Sequence, residues 1–378
     1  MAKAMYIGVD GKARKVKKAY VGVDNVARKV KKMYMGVDGV ARCIFSGGEL
    51  SYYGKATNLS QARRYLEATT VGNYALFGGG ANNSNLSTVD AYDTNLTRTT
   101  ATNLSISRIN LSATTVGDYA LFGGGYGGTS VRTTVDAYDT SLTRTTATDL
   151  STARCYLAST SVGNYALFGG GGGNGYSSTV DAYDTSLTRT TPTALSTARS
   201  YPASTTVGNY ALFGGGTNGG LRCEIVVVDA YDTSLTRTTA TDLSLARYNP
   251  SATTVGNYAL FGGGWVSSGS QAGGQTTVDA YDTSLTRTTP TELSVFKGGL
   301  SATTVGDYAL FGGGLNSTSS SSYRGTVDAY DTSLTRTTAT ELSTARCYLA
   351  STSVGNYALF GGGSAGSYQA VVDVYQFA

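Results

Sequence analysis

The sequence predicts an all-β fold, a seven-bladed β-propeller of four-stranded blades. Three observations lead there. The triplet Gly-Gly-Gly begins at Gly78, Gly123, Gly169, Gly214, Gly262, Gly312 and Gly361, seven copies spaced 45 to 50 residues apart. A close copy of VDAYDTSLTRTT follows the triplet again and again. The chain holds 50 Gly and only 4 Pro, with abundant Ser and Thr and no long stretch of helical periodicity. A repeat of this length, made of short β-prone runs between glycine turns, is one propeller blade.

The first element is an arm that does not share this period. MYIGVDGKARKVK, AYVGVDNVARKVK and MYMGVDGVARCIF repeat every 14 residues, aligning Tyr6, Tyr20 and Tyr34 and then Asp10, Asp24 and Asp38. Asp-Gly and Asp-Asn between short β-prone runs are hairpin signals. Pairing around Asp24-Asn25 sets Val23 against Val26, Val21 against Arg28 and Ala19 against Val30. Continued further, it would oppose Lys18 and Lys31, so the strands are expected to break at the Lys-Lys pairs after about five residues. Residues 1–45 carry a net charge of +8 and the rest of the chain −4. The expected organisation is a basic hairpin arm over 1–45, a linker over 46–50 and the propeller over 51–378. A ribbon this thin cannot bury its own core. It is expected to dock on another protein or to pair with copies of itself, a trimer among the possible assemblies. Nucleic acid is disfavoured, because no cluster of base-stacking aromatics accompanies the lysines.

In the first full blade the inner strand is expected from Tyr65 to Val71, with a turn at Gly72-Asn73. The second strand is Tyr74 to Phe77, running into Gly78 to Gly80. The third is Thr88 to Tyr92, followed by an Asx-type turn at Asp93-Thr94-Asn95-Leu96. The outer strand is Thr97 to Thr102. The seventh copy stops after its third strand, and SYYGKATNLS at 51–60 aligns with LTRTTATNLS of the first copy. Residues 51–58 are therefore expected to complete blade seven and close the ring, which removes open strand edges.

Within a meander, the loop after strand two and the link from strand four to the next blade share one face. Both vary among the copies, whereas the Val-Gly-Asn/Asp and Asp-Thr-Ser/Asn-Leu turns of the opposite face hardly change. The arm is expected to leave from the constant face. Recognition is expected on the variable face, at Trp265, Tyr126, Tyr176, Tyr323 and Tyr368 with Arg132, Arg222, Arg324 and Arg64. Aromatic and arginine side chains of this kind are typical binding anchors. The repeated Asp90, Asp136, Asp181, Asp229, Asp279, Asp328 and Asp373 are expected to be buried acceptors rather than calcium ligands.

No histidine occurs, which removes the commonest general base and metal ligand. No metal, no cofactor and no catalytic residue is expected. Cys43, Cys155, Cys223 and Cys347 are read as free thiols, since equivalent slots of non-adjacent blades are too far apart to bridge. No N-terminal segment resembles a signal peptide, and no apolar run is long enough for a membrane helix.

The chain from about 51 to 378 resembles the kelch repeat family. The resemblance rests on the glycine triplet, the Tyr92-Asp93 pair and its copies, and the arginine of Leu-Ser-x-Ala-Arg at Arg63, Arg108, Arg154, Arg199, Arg247 and Arg346, with Lys297 in the sixth copy. The outer strand lacks the tryptophan usual in that family. The arm repeats resemble those at the start of bacteriophage and prophage tail or structural proteins. That likeness implies a non-catalytic receptor-binding head in a virion tail, attached through the arm and reaching a bacterial surface glycan or protein. Release by lysis would account for export without a signal peptide. The alternatives are an intracellular, cytoplasmic kelch-like interaction scaffold and a glycan hydrolase using carboxylates.

Overall fold

The computed structural model describes residues 48–378 apart from 220–223, 268, 270, 271 and 318–321. Of residues 1–47 it describes the backbone of six strands. Seven four-stranded antiparallel sheets form a ring, with the strands of each blade in meander order. The inner strands are Glu67–Val71, Ser112–Val116, Ala158–Val162, Ala203–Val207, Ser251–Val255, Ser301–Val305 and Ala350–Val354. The chain is a β-propeller, as its period predicts.

Blade one continues through Tyr74–Gly78, Val89–Tyr92 and Arg98–Ala101. Its inner strand begins at Glu67, two residues later than expected. Tyr65 has a left-handed backbone (φ 58°), and the ladder cannot start until the chain has recovered from it. The Asx turn forms with the Asp93 carboxylate accepting from the backbone N–H of Asn95 (2.9 Å) and Thr97 (2.8 Å).

Blades pack through the same contacts seven times. Each Phe of the second strand sits edge-on to the following Tyr of the third, as in Phe77–Tyr92 (5.8 Å). The tyrosine hydroxyl donates to a carbonyl of the preceding blade's link, as Tyr138 does to Thr102 (2.7 Å). The glycine triplet allows the close approach. A Cβ on Gly78 would lie 2.7 Å from the Phe122 ring, and one on Gly80 (φ 97°) would lie 2.9 Å from the Arg64 carbonyl. The core is therefore a series of apolar layers between adjacent blades, with aliphatic, Phe and Tyr side chains wholly out of water.

The ring closes where expected. Leu50–Ala56 pairs antiparallel with Val372–Phe377 as the outer strand of blade seven. The register shifts between Val374 and Tyr375, leaving Tyr53 as an extra, exposed residue. Leu50 lies opposite Phe377, whose N–H donates to Asn356 in the turn between strands one and two. The outer strand thus starts on the face that carries the constant turns.

In the arm, Tyr6–Val9 pairs with Lys12–Lys15, Ala19–Val23 with Val26–Val30, and Lys32–Val37 with Val40–Ser46. The middle hairpin has the register read from the sequence, Val23 facing Val26 and Ala19 facing Val30. Lys17, Lys18 and Lys31, where the strands are expected to break, lie outside the described residues; Lys32 opens the third hairpin. That hairpin reaches Ser46, so the segment expected as a linker begins in a strand.

Candidate functional site

Each blade builds its link to the axis from one charge cluster. The arginine of the link is buried against the third-strand aspartate, with N–O distances of 2.9 Å for Arg63–Asp90, 2.7 Å for Arg108–Asp136 and 2.6 Å for Arg199–Asp229. Arg154–Asp181, Arg247–Asp279 and Arg346–Asp373 repeat the pair. Lys297 takes the same position in blade six, donating to Asp328 and to the carbonyls of Phe311 and Thr326. The second carboxylate oxygen takes an outer-strand arginine, as in Arg98–Asp90 (2.8 Å). In blade seven the hydroxyl of Tyr52 replaces that arginine, donating to Asp373 (2.7 Å). Burial first, and then this carboxylate, push the Tyr52 hydroxyl up to about 12. All seven aspartates are fully buried.

In every blade the residue after the arginine or lysine forms a two-way backbone bridge with the first residue of the variable loop. The pairs are Arg64 with Ala81, Ile109 with Tyr126, Cys155 with Gly172, Ser200 with Thr217, Tyr248 with Trp265, Gly298 with Leu315 and Cys347 with Ser364. These bridges hold both variable segments together on one face.

One residue further, the chain turns toward the axis with positive φ in all seven copies. The positions are Tyr65, Asn110, Tyr156, Tyr201, Asn249, Gly299 and Tyr348, with φ between 51° and 59°. Their backbones join from blade to blade. Asn110 N–H donates to Tyr65, Tyr156 to Asn110, Tyr201 to Tyr156 and Asn249 to Tyr201. Tyr348 donates to Gly299, and Tyr65 to Tyr348. These six bonds make a belt around the mouth of an axial cavity of about 780 Å³, with no such bond between Asn249 and Gly299. Below it the inner strands bond through hydroxyls, for example Thr69 with Thr115 (2.9 Å) and Thr70 with Thr352 (2.8 Å).

The mouth is aromatic. Tyr156 stacks on Tyr201 (4.2 Å, 25°), Tyr248 meets Tyr201 edge-on (6.0 Å), and Tyr65 lies 4.8 Å from Tyr348. Arg64 sits over Tyr65 (4.7 Å) and over Tyr368 (5.6 Å). Among the described lining residues Glu67 is the one charged side chain, and burial pushes its carboxyl up to about 8. Burial also raises the Tyr65, Tyr201, Tyr248 and Tyr348 hydroxyls, which keeps these rings neutral.

The loop residues expected to bind divide into groups. Tyr126 and Tyr176 are exposed (36% and 45%). Trp265 is not the exposed anchor expected of it. It is 7% exposed and packs with Leu315 and Cys347 against Tyr248, Tyr323 and Tyr348. The absence of a side chain at Gly298 admits the indole, since a Cβ there would lie 2.0 Å from the ring. Trp265 still forms part of the cavity wall. Tyr323 is half-buried in the same cluster. Arg64 and Tyr368 meet at the mouth, whereas Arg132 turns back toward the Gly127 carbonyl (3.4 Å). Arg324 is half-buried, and its backbone N–H donates to Gly314 (2.8 Å). Arg222 lies outside the described residues. Cys155 and Cys347 are buried free thiols, pushed up to about 11 and about 12 by burial; Cys223 and the Cys43 side chain lie outside the described residues.

Sequence reasoning treats the link residues as merely variable and misses the tyrosine mouth and Glu67. A signal is present. One slot that accepts only Tyr, Asn or Gly across seven repeats marks a left-handed backbone, because Asn and Gly are the residues that adopt it most readily. A search against protein-family models and one against curated proteins each found no match for this sequence.

Proposed function

We propose that this protein is a non-catalytic binding head that recognises a bacterial surface glycan through the variable face, at the mouth of the axial cavity. A β-propeller suits such a role. The observation that carries the reading is the ring of tyrosines at left-handed positions. Four of seven equivalent sites hold a bulky aromatic where Asn or Gly fits the same backbone with less strain, so the rings serve something other than the fold. Flat aromatic faces next to hydroxyls and amides suit sugar rings. Among the described residues one carboxyl lines the cavity, while most glycoside hydrolases use two. The basic arm, entering from the constant face, is the mount, and a virion tail protein or copies of the arm itself are its proposed partners. The protein then works in a phage tail and outside the cell after lysis.

The test is binding of the full chain to an array of bacterial glycans and to intact cells, with Tyr126→Ala and Tyr176→Ala alongside. Saturable binding supports the reading. Binding of neither glycans nor cells removes it and leaves a protein-interaction scaffold.

A further inference from the structure

Glu67 breaks the pseudo-symmetry of the cavity wall. Its slot at the start of the inner strand holds Ser112, Ala158, Ala203, Ser251, Ser301 and Ala350 in the other blades. Where a serine stands there, it is satisfied by the neighbouring blade. Ser112 bonds Ser159 (2.7 Å), Ser301 bonds Ser351 (2.7 Å), and Ser251 donates to the Leu300 carbonyl. The same offset places Ala113 next to Glu67, and alanine offers no hydroxyl. Nor, among the described residues, does any lysine or arginine line the cavity with it. A carboxyl group thus stands in a roomy cavity with no counter-ion among the described lining residues, below a mouth of neutral tyrosines.

Aromatic rings around a carboxylate form a receptor for an organic cation. The rings attract it through their negative faces, and its positive charge favours the ionised form of the carboxyl, which releases its proton to solvent and neutralises the cation. We propose that the axial cavity binds the ammonium group of an amino sugar, with Glu67 as its counter-ion and the tyrosines of the mouth holding the sugar ring. This rests on the glycan-binding reading and narrows it to sugars that carry a free amine. An N-acetylated sugar offers Glu67 a neutral amide N–H in place of a charged ammonium and is disfavoured, because a hydrogen bond between charged partners is the stronger one.

The experiment is calorimetric titration of the full chain with glucosamine, N-acetylglucosamine, glucose and choline, repeated on Glu67→Gln and Glu67→Ser. Serine already occupies this slot in three other blades, so Glu67→Ser keeps the wall in a form that the repeat itself uses. Expected is preference for glucosamine over N-acetylglucosamine and glucose, lost by about 10- to 100-fold in both variants. Equal binding of the three sugars, unchanged by either variant, overturns the inference while leaving the glycan reading in place. Binding of choline in preference to glucosamine overturns the assignment to a sugar. No binding of glucosamine overturns the inference outright, and the array and cell measurement then decides the broader reading.

Discussion

A tyrosine with φ near 55° sits where the side chain crowds its own backbone, a conformation that costs an ordinary residue about 1–2 kcal/mol. At Tyr156 part of that cost is offset by stacking on Tyr201. Asn110 and Asn249 show that asparagine fits the same slot. Tyr156→Asn is therefore expected to change stability by less than about 1 kcal/mol in denaturant unfolding, well below the roughly 3–5 kcal/mol typical of truncating a buried aromatic. A loss of that larger size would show that the ring serves the fold. Glu67 gives a second prediction at this scale. Its folded-state carboxyl is pushed up to about 8, above the unfolded value. The native state therefore holds the proton more tightly than the unfolded chain does. The resulting stability is fully present below the unfolded value and is lost as pH rises through about 8. Relative to Glu67→Gln, the wild type is expected to lose about 1–3 kcal/mol between about pH 5 and about pH 8.5. Among the described residues, the other titratable groups lining the cavity are Tyr65, Tyr156, Tyr201, Tyr248 and Tyr348. A difference between the two proteins that does not vary with pH would contradict this.

At the scale of the element, the link is held by a buried cation that reaches both an aspartate and a second-strand carbonyl. Removing the cation leaves a buried carboxylate short of a partner, so Arg247→Ala is expected to cost about 3–5 kcal/mol in equilibrium unfolding. Blade six shows that lysine can reach the same acceptors, from Lys297 to Phe311, Thr326 and Asp328. Arg247→Lys should therefore cost much less, about 1–2 kcal/mol. Equal losses would mean that the guanidinium geometry, rather than the charge, holds the link. The blade is legible in the sequence because turn glycines, the Asx motif and strand alternation each act locally. Glu67 is not. Its environment depends on Ala113 of the next blade and on the register between inner strands, and neither is a local property. The burial of Trp265 is likewise hidden, because the space for it comes from Gly298, which belongs to the link of the following blade.

At the scale of the whole molecule, the ring depends on a strand borrowed from the front of the chain. Leu50–Ala56 covers the edge of Val372–Phe377 and brings Tyr52 to Asp373. A chain beginning at residue 57 would expose that edge and leave Asp373 without the Tyr52 hydroxyl. It is expected to self-associate in size-exclusion chromatography and to melt at a lower temperature than the full chain. A monomer with an unchanged melting temperature would show that closure contributes little. Seven near-copies make the architecture and its closure readable from the repeat alone, because each blade restates the same strands and turns. The axial cavity escapes that reading because it belongs to no single repeat; it exists only once all seven links meet.

The measurement that tests the account most directly compares glycan and cell binding of the wild type with that of a variant carrying Tyr65→Asn, Tyr156→Asn, Tyr201→Asn and Tyr348→Asn together. These changes keep the left-handed backbone and remove the rings. The account predicts a protein that still folds cooperatively and no longer binds. A folded variant that binds as well as the wild type would place recognition elsewhere on the molecule and contradict the assignment of the axial mouth.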